Sequence, residues 1–163
     1  MDDILNQNQQ RAMDLFRQAY ELQMNGRLEE AAEAYRQSID CHPTAEAHTF
    51  LGWTYSFMGR YDEAIEECRT AISIDPEFGN PYNDIGAYLI EKNRLDEAIS
   101  WLEKAAAAPR YEHYCFPYHN LGRIYERKRE WDLAIQAYER SLKENPQYVP
   151  AARALGRLKA MLN

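Results

Sequence analysis

The chain is sparing with the residues that most chemistry needs. It has 163 residues and only three cysteines, Cys41, Cys68 and Cys115. An odd, dispersed set of that size suits a reduced intracellular protein better than a disulfide framework. Basic residues are in the minority, 19 Lys and Arg against 26 Asp and Glu. That balance argues against general nucleic-acid binding, which needs a basic face against phosphate. No run of apolar residues is long enough to span a bilayer. The opening "MDDILNQNQQ" has neither a basic n-region nor an apolar h-region, so no secretory signal is expected and a cytoplasmic location is. HExxH, GxSxG and CxxC are all missing, and an enzyme is not expected.

Glycine is scarce too, with seven in all, and each has a place in a pattern. Gly52, Gly86, Gly122 and Gly156 each follow Leu or Ile, at steps of 34, 36 and 34 residues. They are expected where helix backbones approach closely. Gly26 and Gly59 are expected in turns within a repeat, and Gly79 in a turn between repeats. None is left to form a phosphate-binding loop.

What is present is repetition. "RYDEAIEECRTAISIDP" from Arg60 returns as "RLDEAISWLEKAAAAP" from Arg94 and "EWDLAIQAYERSLKENP" from Glu130. Alanine recurs at Ala31, Ala64, Ala98 and Ala134, with Tyr35, Cys68, Leu102 and Tyr138 four residues later. Pro43, Pro76, Pro109 and Pro146 close the copies, each forcing its preceding residue out of helical geometry. Leu51, Tyr55 and Met58 share one side of a helix; Ala64, Ile65, Cys68, Ala71 and Ile72 share one side of the next. Neither helix can bury its stripe alone, so the pairs must stack.

These residues resemble the tetratricopeptide repeat family, in which a large residue, Leu-Gly, an aromatic, Ala, a bulky residue and Pro recur about every 34 residues. The match is full at His48, Leu51, Gly52, Tyr55, Ala64, Cys68 and Pro76 and in the two copies that follow. It is weaker in the first copy, where Gln18-Ala19 replaces Leu-Gly. The expected fold is all-α: a right-handed superhelical solenoid of four helix pairs and a C-terminal capping helix. Residues 1–11 form an N-terminal extension, helical in part. The repeats span about 12–44, 45–78, 79–114 and 115–148, and the cap 149–163.

The resemblance implies a protein-interaction module that holds a peptide or helix along a concave face lined by the first helix of each pair. By register that face receives Phe16, Tyr20, Thr49, Trp53, Phe57, Asn80, Asn83, Ile90, His119, Arg123, Arg127, Arg153 and Arg157. One end is aromatic, the other basic, and a partner with apolar anchors and an acidic end is expected. Against this stands a plainer reading. The residues before Gln10 would cover the aromatics, and the arginines would be a solvated face paired with Glu126. The lysine-and-asparagine clamp by which some members hold acidic chaperone tails falls here on Phe16, Tyr20, Phe50, Asn80 and Asp84, so that activity is not implied. The alternatives are a self-assembling scaffold, forming a homo-oligomer, and a chaperone of a secretion or assembly substrate. No cofactor is expected. "RYEHYCFPYH", residues 110–119, offers His113, Cys115 and His119 as nitrogen and sulfur donors, but its spacing matches no known metal set. A longer loop packing Tyr111, Tyr114 and Phe116 onto neighbouring helices is preferred.

Overall fold

The computed structural model describes residues 2–163, and these form nine helices and no strand. They divide into two compact units, residues 1–76 and 77–163.

The first unit holds α1 (Asp2–Met24), α2 (Leu28–Cys41), α3 (Ala45–Phe57) and α4 (Tyr61–Ile74). α1 is a single unbroken helix of 23 residues, so its first turns extend outward and do not fold back over the aromatics. Tyr35, Leu51 and Cys68 are large buried side chains of this unit, and Ala31 and Ala64 are fully enclosed. The second unit holds α5 (Asn80–Glu91), α6 (Leu95–Ala107), α7 (Cys115–Arg127), α8 (Trp131–Glu144) and α9 (Val149–Leu162). Ile85, Leu102, Ile124, Tyr138 and Leu158 fill its interior.

The breakers act as the pattern requires. His42, Asp75, Ala108 and Asn145, each directly before a proline, all leave the helix in extended conformation. Within each pair the first helix ends in a Schellman turn. The N–H groups of Arg27, Arg60, Arg94 and Glu130 donate to the carbonyls of Leu22, Tyr55, Leu89 and Tyr125 at 2.8–2.9 Å. The residue before each donor has positive φ. It is Gly26 and Gly59 in the first unit but Asn93 (57°) and Arg129 (60°) in the second.

A β-carbon on Gly52 would lie 2.9 Å from the Ala64 carbonyl oxygen. One on Gly86 would lie 2.5 Å from Leu102, and one on Gly122 2.4 Å from Tyr138. These are the expected close approaches. Gly156 is a correction: among the described residues nothing lies within 4 Å of the place its β-carbon would take, whereas Gly52, Gly86 and Gly122 each face the second helix of their pair. Gly79 is another. Its φ is an ordinary −76°, and it is needed for space, since Tyr111 would meet a β-carbon at 2.6 Å.

The 108–114 loop folds against the start of α5. Arg110 N–H donates to the Glu77 carbonyl at 3.1 Å, and Gly79 N–H to the Arg110 carbonyl at 3.0 Å. Tyr111 is buried, and Tyr114 donates its hydroxyl to the Ala108 carbonyl at 2.6 Å. His113 lies against Tyr111 and Phe116, Cys115 is enclosed, and His119 is ringed by Tyr138 and Tyr148. The three donors are thus spread among aromatic contacts, and no group of three metal-ligating side chains occurs among the described residues.

Candidate functional site: a basic cleft and an aromatic strip

In the second unit, α7 and α9 present the same register one repeat apart, with α8 behind them. His119, Arg123 and Arg127 come from α7; Arg153 and Arg157 come from α9. All five of these sequence-predicted side chains line one cleft of about 620 Å³. Its apolar wall is supplied by Trp131, Tyr138, Val149 and Met161.

The charges in the cleft are partly answered from within. Arg157 donates to one oxygen of Glu126 at 2.5 Å, and the Tyr138 hydroxyl donates to the other at 2.8 Å. The carboxylate and the phenol's burial together push Tyr138 well above the tyrosine range, burial contributing most. Arg123 donates to Glu91 at 2.9 Å and to the Asn120 side chain at 3.1 Å. Arg127 donates to the Ile90 carbonyl at 2.9 Å. Arg153 alone of the four has no hydrogen-bond or ion-pair partner among the described residues. The arrangement thus has the pairing with Glu126 that a plain solvated face would show, and also one uncommitted guanidinium. His119 adds no charge at neutral pH. Burial, helped by the neighbouring Arg123, pulls its imidazole down to about 4, and its Nδ1 is enclosed without a partner.

In the first unit the expected aromatics do come together. Phe16 meets Tyr35 and Phe50 edge-on at 5.3 and 5.2 Å, Tyr20 meets Phe50 at 6.0 Å, and Trp53 joins Phe50 to Phe57 at 5.7 and 5.2 Å. Edge-to-face contacts of this kind are favoured by the ring quadrupole. Tyr20 is 42% exposed and Phe57 56%, so the strip has an outer edge that its own unit does not cover. Phe50, the ring at its centre, is not among the residues that register assigns to the binding face, although it stands 34 residues after Phe16 and three before Trp53.

Three expected face residues are corrected. Thr49 is buried and spends its hydroxyl on the Ala45 carbonyl at 2.7 Å. Asn83 is buried and accepts from the Asn120 amide at 3.1 Å, tying α5 to α7. Ile90 is fully buried. Each points where two helices pack, because a first helix must use part of its inner side to contact its neighbours. Asn80 is half-exposed at the start of α5.

Stacked helix pairs with buried alanines, close-packed glycines and a side-chain-lined inner cleft define an α-helical repeat module for interaction with other proteins. The chain belongs to the tetratricopeptide repeat family, whose signature matches residues 45–78, 80–110 and 115–148. It is 27% identical over 121 residues to the type IV pilus assembly protein PilF of Pseudomonas aeruginosa, covering 74% of this chain and 48% of that protein. It is 32% identical over 75 residues to small glutamine-rich tetratricopeptide repeat-containing protein 2 of Mycosarcoma maydis, covering 45% and 21%. The chain thus spans less than half the length of either curated relative. The solved structure of P. aeruginosa PilF superposes with a TM-score of 0.85 at 23% identity, over 93% of this chain and 68% of that one. That of PilW, described as a type IV pilus biogenesis factor, gives 0.83 at 26% identity, over 92% and 69%. The matched family is one of interaction modules. No helix among the described residues is long and apolar enough to cross a membrane.

Proposed function

We propose that the chain is a receptor for a segment of another protein that carries both acidic and apolar side chains, and that the cleft of α7, α8 and α9 is where the acids bind. One observation carries this reading. Five side chains chosen from sequence register alone line a single cleft beside an apolar wall, and Arg153 there is unspent. A guanidinium fork is well matched to a carboxylate. The exposed edge of Tyr20 and Phe57, with half-buried Phe16 and Trp53 behind it, supplies a separate apolar grip in the first unit. The C-terminal part supplies the steering field: residues 110–163 carry 10 Lys and Arg against 6 Asp and Glu. Likeness to a pilus assembly protein favours a partner that is part of a larger assembly. Three free cysteines favour a reducing compartment.

A random-peptide display screen against the full chain tests the reading. Enriched peptides are expected to combine Glu or Asp with Leu, Met or Phe. Arg127→Glu with Arg153→Glu should weaken them about tenfold or more at low salt and less at high salt, where screening is strong. Trp53→Ala should weaken, at all salt concentrations, peptides that bind the aromatic strip of the first unit. Enrichment of peptides without acids, or undiminished affinity in the charge-reversed variant, overturns it. A rival reading, homotypic assembly, draws on the exposed Leu133, Val149, Met161 and Leu162 of α8 and α9. Sedimentation across a concentration series separates the two, since the receptor reading expects no change in mass.

A further inference from the structure

We infer that Glu126 is a built-in competitor for the acidic ligand, so that the cleft is held in a weakened state by its own carboxylate. This rests on the receptor reading above and adds a regulating residue to the same site. Glu126 lines the cleft together with the arginines. It belongs to α7, yet it reaches across to Arg157 on α9, 31 residues away, at 2.5 Å. Its second oxygen is held by Tyr138 from α8 at 2.8 Å. Three helices therefore fix one carboxylate among the cleft's cations, the position a ligand acid would take. Arg157 is 60% exposed and Glu126 only 26%, so the arginine is within reach of solvent while its partner is anchored. An incoming acid meets Arg153 without competition, but it must displace Glu126 to use Arg157. A second, more distant restraint is Glu91, which holds Arg123 from α5 at 2.9 Å.

The geometry also says what removing the competitor does. Gln at 126 keeps an oxygen that can accept from Tyr138, so the α7–α8 bond survives. It loses the charge, so Arg157 is released. A partly exposed ion pair is worth up to about 1 kcal/mol, which corresponds to roughly a two- to fivefold change in affinity. One more cation free to meet the ligand also steepens the dependence of affinity on salt.

The test uses the full chain and a short fluorescein-labelled glutamate–leucine peptide, with its glutamine–leucine counterpart as control, read by anisotropy at several salt concentrations. Glu126→Gln is expected to tighten the glutamate peptide by roughly two- to fivefold, with a steeper salt slope and no change for the control. Arg157→Gln alone is expected to weaken the glutamate peptide, because it leaves the Glu126 carboxylate unneutralised among the cleft's remaining cations, whereas Arg157→Gln placed in the Glu126→Gln chain should abolish the gain. Unchanged or weaker binding in Glu126→Gln overturns the inference. So does a gain that survives Arg157→Gln. Arg153→Glu keeps the two questions apart. If the peptide binds and Arg153→Glu abolishes binding while Glu126→Gln adds nothing, only the competitor fails. If the peptide does not bind, or binds regardless of Arg153, the receptor reading falls and the competitor with it.

Discussion

Four glycines share one sequence position, but only three share one environment. Gly86 faces the fully buried Leu102 at a distance where any β-carbon forces movement. Gly86→Leu should therefore destabilise by at least about 1–3 kcal/mol, whereas Ser100→Ala, at an exposed site on α6, should stay within about 0.5 kcal/mol. Gly156 reverses the sign. It lies inside α9 with open space around it. Alanine there clashes with nothing and removes backbone freedom from the unfolded chain, a gain of about 0.5–1 kcal/mol. Thermal denaturation of the three variants checks the set. A lower melting temperature for Gly156→Ala would mean that α9 is covered in solution. The sequence could not separate these glycines, because "LG" is the same two letters whatever packs against them.

At the scale of the helix pair, the same fold is built with unequal parts. Ser38 and Ser141 occupy equivalent places in α2 and α8, and each donates to a carbonyl of its sister helix, Ala12 or Cys115, at 2.7 Å. The middle pairs have Ala71 and Ala105 at this place and pack without the bond. Arg27, Arg60 and Arg94 each hold the glutamate three residues on at the start of the second helix. In the last pair Glu130 and Leu133 replace that couple, and Leu133 is left exposed. The turns differ as well. Gly26 and Gly59 accept positive φ freely, but Arg129 adopts it at 60° with a full side chain, at a cost of roughly 1–2 kcal/mol. Arg129→Gly should recover part of that, about 0.5–1 kcal/mol after the entropy of the added glycine. Asn93→Gly should recover less, since asparagine tolerates this region. Urea unfolding of the two variants gives the comparison; a destabilised Arg129→Gly would show that the arginine side chain contributes a contact outweighing its strain.

For the whole molecule, two partly buried titrating groups set opposite trends with pH. Burial pushes the Asp84 carboxyl up to about 7, only partly offset by the Asn83 amide. Its folded value is raised, so its contribution is present below the ordinary carboxylate range and is lost as pH rises through 7. His119 is pulled down to about 4. Its contribution is present above the ordinary imidazole value and is lost as pH falls from about 6.5 toward 4. Asp84→Asn should therefore raise the melting temperature by a few degrees at pH 8 and change it little at pH 4, the half-exposure of Asp84 limiting the gain. His119→Phe, which keeps a ring between Tyr138 and Tyr148, should lessen the fall in stability on the acid side. Melting curves at pH 4, 6 and 8 test both, and parallel shifts at all three values would contradict the assignment. Neither residue announced this in the sequence. Asp84 reads as a departure from a clamp motif and His119 as a residue of the binding face; the state of each depends on what surrounds it.

The amino-acid sequence by itself determined the repeat. Alanine, glycine and proline recur at fixed steps because a stacked helix pair has no room for larger side chains at its crossings and needs a stop at its end. That constraint is local and periodic, so it is written in one dimension. It also determined which side chains the first helices direct to their inner side, and the five that line the α7–α9 cleft follow from it. Only the tertiary structure decided how that inner side is used. Thr49, Asn83 and Ile90 lie on it and are consumed by packing between neighbouring helices. Glu126 lies on it and is spent on Arg157, while Arg153, one turn before Arg157, is not. Such choices depend on distances between groups about 30 residues apart, and periodicity, which makes every repeat look alike, does not distinguish them.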